Sequence, residues 1–276
     1  MKSTLRTSLR ALLVASLLAL VLPALAPAAA LPTVAVVGAS GGVTVTGADA
    51  LAPGATSFAF SGSGKEKDLL LVRLKPGRTA AELMAAAARQ RDATKLQNAF
   101  GDFVAGGAVG RGLKLSVDVE LTAADYVLLD ITKKPKQVAT FTVAGTPTGA
   151  VLPTTRASVT LKDFRIKAKG TFPKNGAFTV HNRGPSPHLL VAFPLHPGAD
   201  VRAALKALRA GRERAFDKQL GGPPTGLVML LSPGVTNVIH AKLHAGTTVL
   251  ACFYSDMKSR GMPHMMLGME TAIRVK

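Results

Sequence analysis

The sequence predicts an all-β protein built as two consecutive β-sandwiches, each carrying one helical insertion. Three observations predict it. Short apolar or alternating runs recur along the chain with Gly and Pro between them, as in sandwich sheets. Helix-type periodicity is confined to two places. The order of these pieces occurs twice.

The first thirty residues stand outside that plan. Lys2, Arg6 and Arg10 open the chain, residues 11–22 are apolar, and Ala28-Ala29-Ala30 offers a small-residue cleavage site. This is the pattern of a secretory signal peptide over residues 1–30. No later stretch is long and apolar enough for a transmembrane helix. No cysteine flanks the cleavage site, which argues against a lipid anchor. A soluble, secreted or periplasmic protein is expected.

The first sandwich is expected over residues 31–145. Residues 67–77 form an apolar strand ending in Pro76-Gly77. Thr79-Ala80-Ala81-Glu82 is a capping box for an alanine-rich helix running to about Arg91. Residues 113–121 alternate with a strict period of two, and residues 126–130 and 138–143 supply further strands. Residues 144–156, rich in Gly, Pro and Thr, read as the linker.

The second sandwich, over residues 157–276, repeats the order. Residues 188–198 form the apolar strand ending in Pro197-Gly198. Asp200 is the N-cap of a helix expected from Val201 to about Phe216. Residues 235–243 match 113–121, and residues 248–252 align on 126–130 without a gap. Asp130 then stands in the place of Cys252, and Asp118 in that of His240. Residues 271–275 close the repeat.

Composition narrows the function. Without Lys2, Arg6 and Arg10 the net charge falls from +18 to +15, which favours acidic partners. The basic residues are scattered over 65–67, 133–136, 202–214 and 258–260, as on a solvated surface. Aromatic residues are too few for a single-stranded nucleic-acid platform. There is no Gly-x-Ser-x-Gly elbow, His-Glu-x-x-His, phosphate loop or dinucleotide fingerprint, so no enzyme is expected. A Cys252–His264 nucleophile pair lacks an oxyanion motif.

The second half holds a polar set that the first lacks. His188 follows Asn182-Arg183-Gly184, Cys252 is the only cysteine, and His264 lies in a segment with five of the eight methionines. Alone, Cys252 reads as a buried small hydrophobe. Its coincidence with His264 and Met269 favours a chemical role. Met262, Met265 and Met266 read as packing around the site, and His181, His196, His240 and His244 as structural or exposed.

This order of strand, Asn-x-Gly, His, then a late Cys, His and Met resembles the cupredoxins, the family of plastocyanin and azurin. The resemblance covers residues 157–276; the first half shares only the scaffold. It implies Greek-key sandwiches and one mononuclear copper site. It also implies His188, Cys252, His264 and Met269 as its ligands, with Met269 the weak axial one. A thiolate and two imidazoles in a trigonal set hold both copper oxidation states. The sequence departs from the family in placing eleven residues, 253–263, between Cys252 and His264, so that loop must fold out and return. The Asn182 loop and the backbone near Gly184 are candidates to orient the imidazoles.

The expected function is therefore single-electron transfer, with an acidic redox partner. Two others stay open. One is a metal-free exported binding module on the same scaffold. The other is a methionine-rich Cu(I) storage or delivery protein. No multicopper enzyme is expected, because the first half contains no histidine.

Overall fold

The chain alternates strands and short helices in an order that repeats. Strands β1 (Thr33–Ala39), β2 (Gly42–Thr46), β3 (Gly54–Gly62) and β4 (Lys67–Leu74) precede helices α1 (Ala80–Arg89) and α2 (Ala93–Phe100). Strands β5 (Gly101–Val109), β6 (Lys114–Leu121), β7 (Ala124–Asp130) and β8 (Lys136–Val143) follow. The second half runs β9 (Ala157–Lys162), β10 (Arg165–Gly170), β11 (Asn175–Asn182) and β12 (His188–Pro194) into α3 (Val201–Arg209) and α4 (Glu213–Asp217). It ends with β13 (Thr225–Leu231), β14 (Thr236–Lys242), β15 (Gly246–Ala251), a 3-10 turn (His264–Leu267) and β16 (Glu270–Val275). The computed structural model describes residues 30–90, 92–110 and 112–276. The expected signal peptide thus lies, but for Ala30, outside the described residues.

The fold is all-β, a sandwich with a helical insertion in each half. One four-stranded sheet has the order β5-β4-β7-β8 and another β13-β12-β15-β16, so the same sequential pieces occupy the same places. The register agrees with the alignment of the two halves. Leu70 pairs with Leu129, and Val191, its counterpart, pairs with Ala251, the counterpart of Leu129.

The opposing layer is continuous across both halves: β10-β9-β11-β14-β6-β3-β1-β2. Its centre is the antiparallel pair β14–β6, in which Ile239 faces Val117, its own counterpart. The strands then repeat outward on both sides: β3 and β11 are next, each flanked by a parallel partner, β1 and β9. The other layer is also bridged. Ser232 N–H donates to the Phe103 carbonyl at 2.9 Å, and Phe103 N–H donates to Ser232 Oγ at 2.8 Å. Residues 31–276 accordingly form one compact unit.

Alternation fixes which faces meet. On β6, Leu115, Val117, Val119 and Leu121 are buried, as are Phe58 and Phe60 opposite on β3. These and Leu71, Leu128, Leu161, Leu190 and Ile239 form one core between the layers. A second cluster lies on the outer face of the β13-β12-β15-β16 sheet. There Phe193 and Val249 are covered by Ala204, Ala207 and Leu208 of α3, Phe216 of α4, and Met265.

The helical insertions differ in detail from the sequence expectation. Thr79 and Glu82 form the capping box of α1, but a second helix follows, capped by Asp92. Asp200 caps α3, which stops at Arg209 because Gly211 takes a left-handed conformation, φ 64°. The expected continuation to Phe216 is the separate short α4. No described helix is long and apolar enough to cross a membrane.

Candidate metal centre

Three segments converge at one end of the second half. His188 opens β12. Its approach is set by Asn182, whose side chain donates to the carbonyls of Ser186 (2.8 Å) and Leu231 (2.7 Å) and accepts from Gly184 N–H (2.8 Å). Cys252 follows the last residue of β15. His264 begins the 3-10 turn.

The long segment between Cys252 and His264 closes on itself. Asp256 and Ser259 exchange main-chain to side-chain hydrogen bonds of 2.9 and 2.8 Å, and Gly261 N–H donates to the Asp256 carbonyl at 2.9 Å. Arg260 and Gly261 both have positive φ, which reverses the chain there. The returning strand is then clipped to the outgoing one. His264 N–H donates to Tyr254 C=O at 2.8 Å, Met265 N–H to Cys252 C=O at 2.8 Å, and Cys252 N–H to Met269 C=O at 3.1 Å. The eleven intervening residues therefore do not keep His264 from Cys252.

Cys252 Sγ lies 3.8 Å from His188 Nδ1 and 3.8 Å from His264 Nδ1, and the two Nδ1 atoms are 3.2 Å apart. All three side chains are fully buried. The point equidistant from the three atoms lies about 2.1 Å from each, which is a bonding distance for a thiolate and two imidazoles on one d-block ion. His188, Cys252 and His264 thus fit a single metal ion. Met269, the fourth expected residue, is fully buried. Its main chain brackets the site, accepting from Cys252 N–H and donating to the His264 carbonyl at 3.0 Å.

Without a cation these donors favour their neutral forms. Burial pushes the Cys252 thiol up to about 12, although the N–H groups of Leu189 and Tyr254 oppose the shift. Burial, together with a charge on His264, pulls His188 down to about 4 against the pull of Asp163. Burial likewise lowers His264, opposed by Asp256. A buried thiol and two neutral imidazoles with converging lone pairs form a site whose thiolate a metal ion stabilises.

Each imidazole has a carboxylate behind it. His188 Nε2 is 3.1 Å from Asp163 Oδ1, and His264 Nε2 is 3.6 Å from Asp256 Oδ1. Both are electrostatic contacts rather than formed hydrogen bonds, since His188 Nε2, Asp163 Oδ1 and His264 Nε2 have no hydrogen-bond partner among the described residues. Burial raises the Asp256 carboxyl, but hydrogen bonds from Ser259 N–H and the Ser186 side chain, with the charge of His264, bring it below its usual value. Lys258 Nζ reaches Asp163 Oδ2 at 3.5 Å and Ser186 Oγ at 3.2 Å.

Aromatic rings close the remaining faces of His264. The Phe164 and Tyr254 rings stand edge-on at centroid distances of 5.0 and 5.3 Å. Asp163 and Phe164 together form the two-residue turn between β9 and β10. Phe164 and Arg260 are the non-glycine residues with positive φ among those described; Phe164 borders His264, and Arg260 lies in the 253–263 loop. A bulky residue so held costs on the order of 1 kcal/mol, borne where the surrounding packing fixes it.

The structure brings the sequence-named His188, Cys252 and His264 together; the Asn182 loop was also named from sequence, whereas Asp163, Asp256, Tyr254 and Phe164 were not named as parts of the site. Asp163 sits at a turn between two strands, the one local signal available for it. The remaining histidines lie elsewhere: His181 meets Thr236, His240 meets Asp118, and His196 is bonded to the neighbouring Pro197 carbonyl.

Neither a protein-family model nor a curated protein sequence matches the chain. Among solved structures, similarity is found to auracyanin from the photosynthetic bacterium Roseiflexus castenholzii, at 18% identity and a TM-score of 0.26, covering 43% of this chain and 94% of that one. Auracyanin B matches at 16% identity and a TM-score of 0.24, over 43% of this chain and 86% of that one. A multi-copper oxidase from Pediococcus acidilactici matches at 10% identity and a TM-score of 0.25, over 89% of this chain and 60% of that one.

Proposed function

We propose that this chain is an exported copper protein of cupredoxin type that transfers single electrons. His188, Cys252 and His264 would hold one copper ion, with the buried Met269 as the expected fourth donor. The observation that carries this reading is the triangle of Sγ and two Nδ1 atoms, with sides of 3.8, 3.8 and 3.2 Å, buried in a rigid sandwich. When bound, a copper ion in such a set supplies a one-electron couple with little change of geometry between its two states. The residues contribute fixed positions. The clipped backbone around Cys252, His264 and Met269 holds three of them, and the Asn182 loop holds the fourth.

The two halves are then a tandem duplication, 31–145 and 157–276, in which the first copy keeps the scaffold without ligands. The basic surface steers the protein to an acidic redox partner. A carrier is favoured over a multicopper enzyme because the first half contributes no histidine. The short sulfur–nitrogen separations favour metal binding over a metal-free module. A methionine-based store is less favoured. Met265 packs under α3 and α4, while Met257 and Met262 are 75% and 40% exposed and point no common thioether set at the site.

The test is titration of the purified mature protein with Cu(II), followed by absorption. The proposal expects one equivalent bound with an intense thiolate-to-copper band, lost in Cys252→Ser. Equal, colourless binding by wild type and Cys252→Ser refutes it.

A further inference from the structure

The two carboxylates behind the imidazoles have a consequence beyond holding the rings. The Nδ1 atoms converge on the metal position, so each Nε2 is the far edge of its ring. That edge meets Asp163 Oδ1 at 3.1 Å in one case and Asp256 Oδ1 at 3.6 Å in the other. Neither carboxylate is free to turn away. Asp256 is buried and accepts from Ser259 N–H at 2.8 Å. Asp163 accepts from the Ser186 hydroxyl at 3.1 Å and is faced by Lys258. Gly184 packs against the His188–Asp163 contact, where a Cβ would stand 2.8 Å from both Nε2 and Oδ1.

We infer that Asp163 and Asp256 are positioning residues that hold both imidazoles with Nε2–H outward and Nδ1 free, and that their charges favour the oxidised ion. The inference rests on the copper reading above. A ligand imidazole commonly donates its second N–H to a carboxylate or carbonyl, which fixes its tautomer and strengthens it as a donor. Here both partners are carboxylates, and the thiolate would be a third anionic group. The oxidised ion carries one more positive charge than the reduced one, so fixed negative charge within a few ångströms stabilises it selectively. Lys258 opposes Asp163, and the Arg209–Glu270 pair beside Met269, joined at 2.6 Å, is neutral as a unit.

The geometry predicts different consequences for charge and for orientation. Asp163→Asn and Asp256→Asn keep an oxygen for Nε2–H but remove the charge. Asp163→Leu removes both. Lys258→Met removes a positive charge that touches no ligand.

The experiment is redox titration of the copper-loaded full mature chain against mediators, with the thiolate band as readout. Each Asn variant is expected to keep the band and to raise the ratio of reduced to oxidised protein at a given potential at least tenfold, equivalent to 59 mV for one electron. Lys258→Met is expected to move the ratio the opposite way. Asp163→Leu is expected to alter the band itself. A coloured wild type whose two Asn variants keep the ratio within twofold overturns this inference alone. A wild type that takes up copper without the band overturns the copper reading and this inference with it. Asp256→Asn and Lys258→Met stand at separate positions, so the opposed signs are read even where an Asp163 variant does not fold.

Discussion

Gly184 shows how tightly single residues are constrained around the centre. Any Cβ there would press on His188 Nε2 and Asp163 Oδ1 at 2.8 Å, and on the Asp163 main-chain nitrogen at 3.0 Å. His188 is fully buried and Asp163 accepts from Ser186 and faces Lys258, so neither can move away freely. Gly184→Ala is therefore expected to part the carboxylate from the imidazole. That lowers copper affinity by about 10- to 100-fold, the usual effect of losing such a partner. Competition with a copper chelator measures it, and an unchanged affinity contradicts the assignment. At this scale the residues that converge, His188, Cys252 and His264, were legible in sequence because their types are scarce: one cysteine and six histidines in the chain. The carboxylates were not. Asp163 becomes a partner of His188 only when the β9–β10 turn swings against the Asn182 loop, and nothing local in the sequence marks that meeting.

The elements around the site were legible in kind more than in extent. The alternating run at 113–121 became β6, and its counterpart became β14, because a period of two allows only one side of a strand to be buried. Helix α2 went unseen because it is short and follows α1 after a break, with Asp92 as its cap. It nevertheless touches the site. Tyr254, whose ring borders His264, accepts from Thr94 N–H at 3.0 Å and bonds the Thr94 hydroxyl at 3.0 Å. Thr94 is the second residue of α2, where a helix has main-chain N–H groups without internal partners. Tyr254 thus caps a helix of the other half. Tyr254→Phe keeps the ring on His264 and removes the cap. It is expected to lower unfolding free energy by about 1 kcal/mol while leaving the thiolate band in place. Denaturant unfolding and absorption check the two halves of that statement. A lost band with unchanged stability contradicts it.

Across the whole molecule, one eight-stranded sheet is centred on the antiparallel pair β14–β6, where Val117 faces Ile239. The sequence alignment led to the expectation of corresponding strands in each half. It did not foretell that β6 and β14, the matched strands themselves, would pair and fuse the two halves into one layer. Strand edges carry no sequence mark of the partner they meet. Asp118 and His240, aligned as counterparts, close this seam with a 2.6 Å contact. The hydrogen bond that His240 Nε2–H donates to Asp118 raises the His240 pKa above its ordinary 6.5, despite the opposing effect of burial. Because the folded value is the higher one, the contact stabilises the fold fully below about pH 6.5 and fades as pH rises through the raised value. Thermal melts of the metal-free protein at pH 6 and pH 8 should therefore show Asp118→Asn costing more at the lower pH. An equal cost at both contradicts a charged seam.

The central claim is that sulfur and two imidazoles share one ion, and X-ray absorption at the copper edge tests it most directly. The copper-loaded protein is predicted to show one short sulfur neighbour and two imidazole nitrogens, all near the distance of about 2.1 Å set by the triangle of donor atoms. A shell of nitrogen and oxygen alone, with no sulfur, would contradict it.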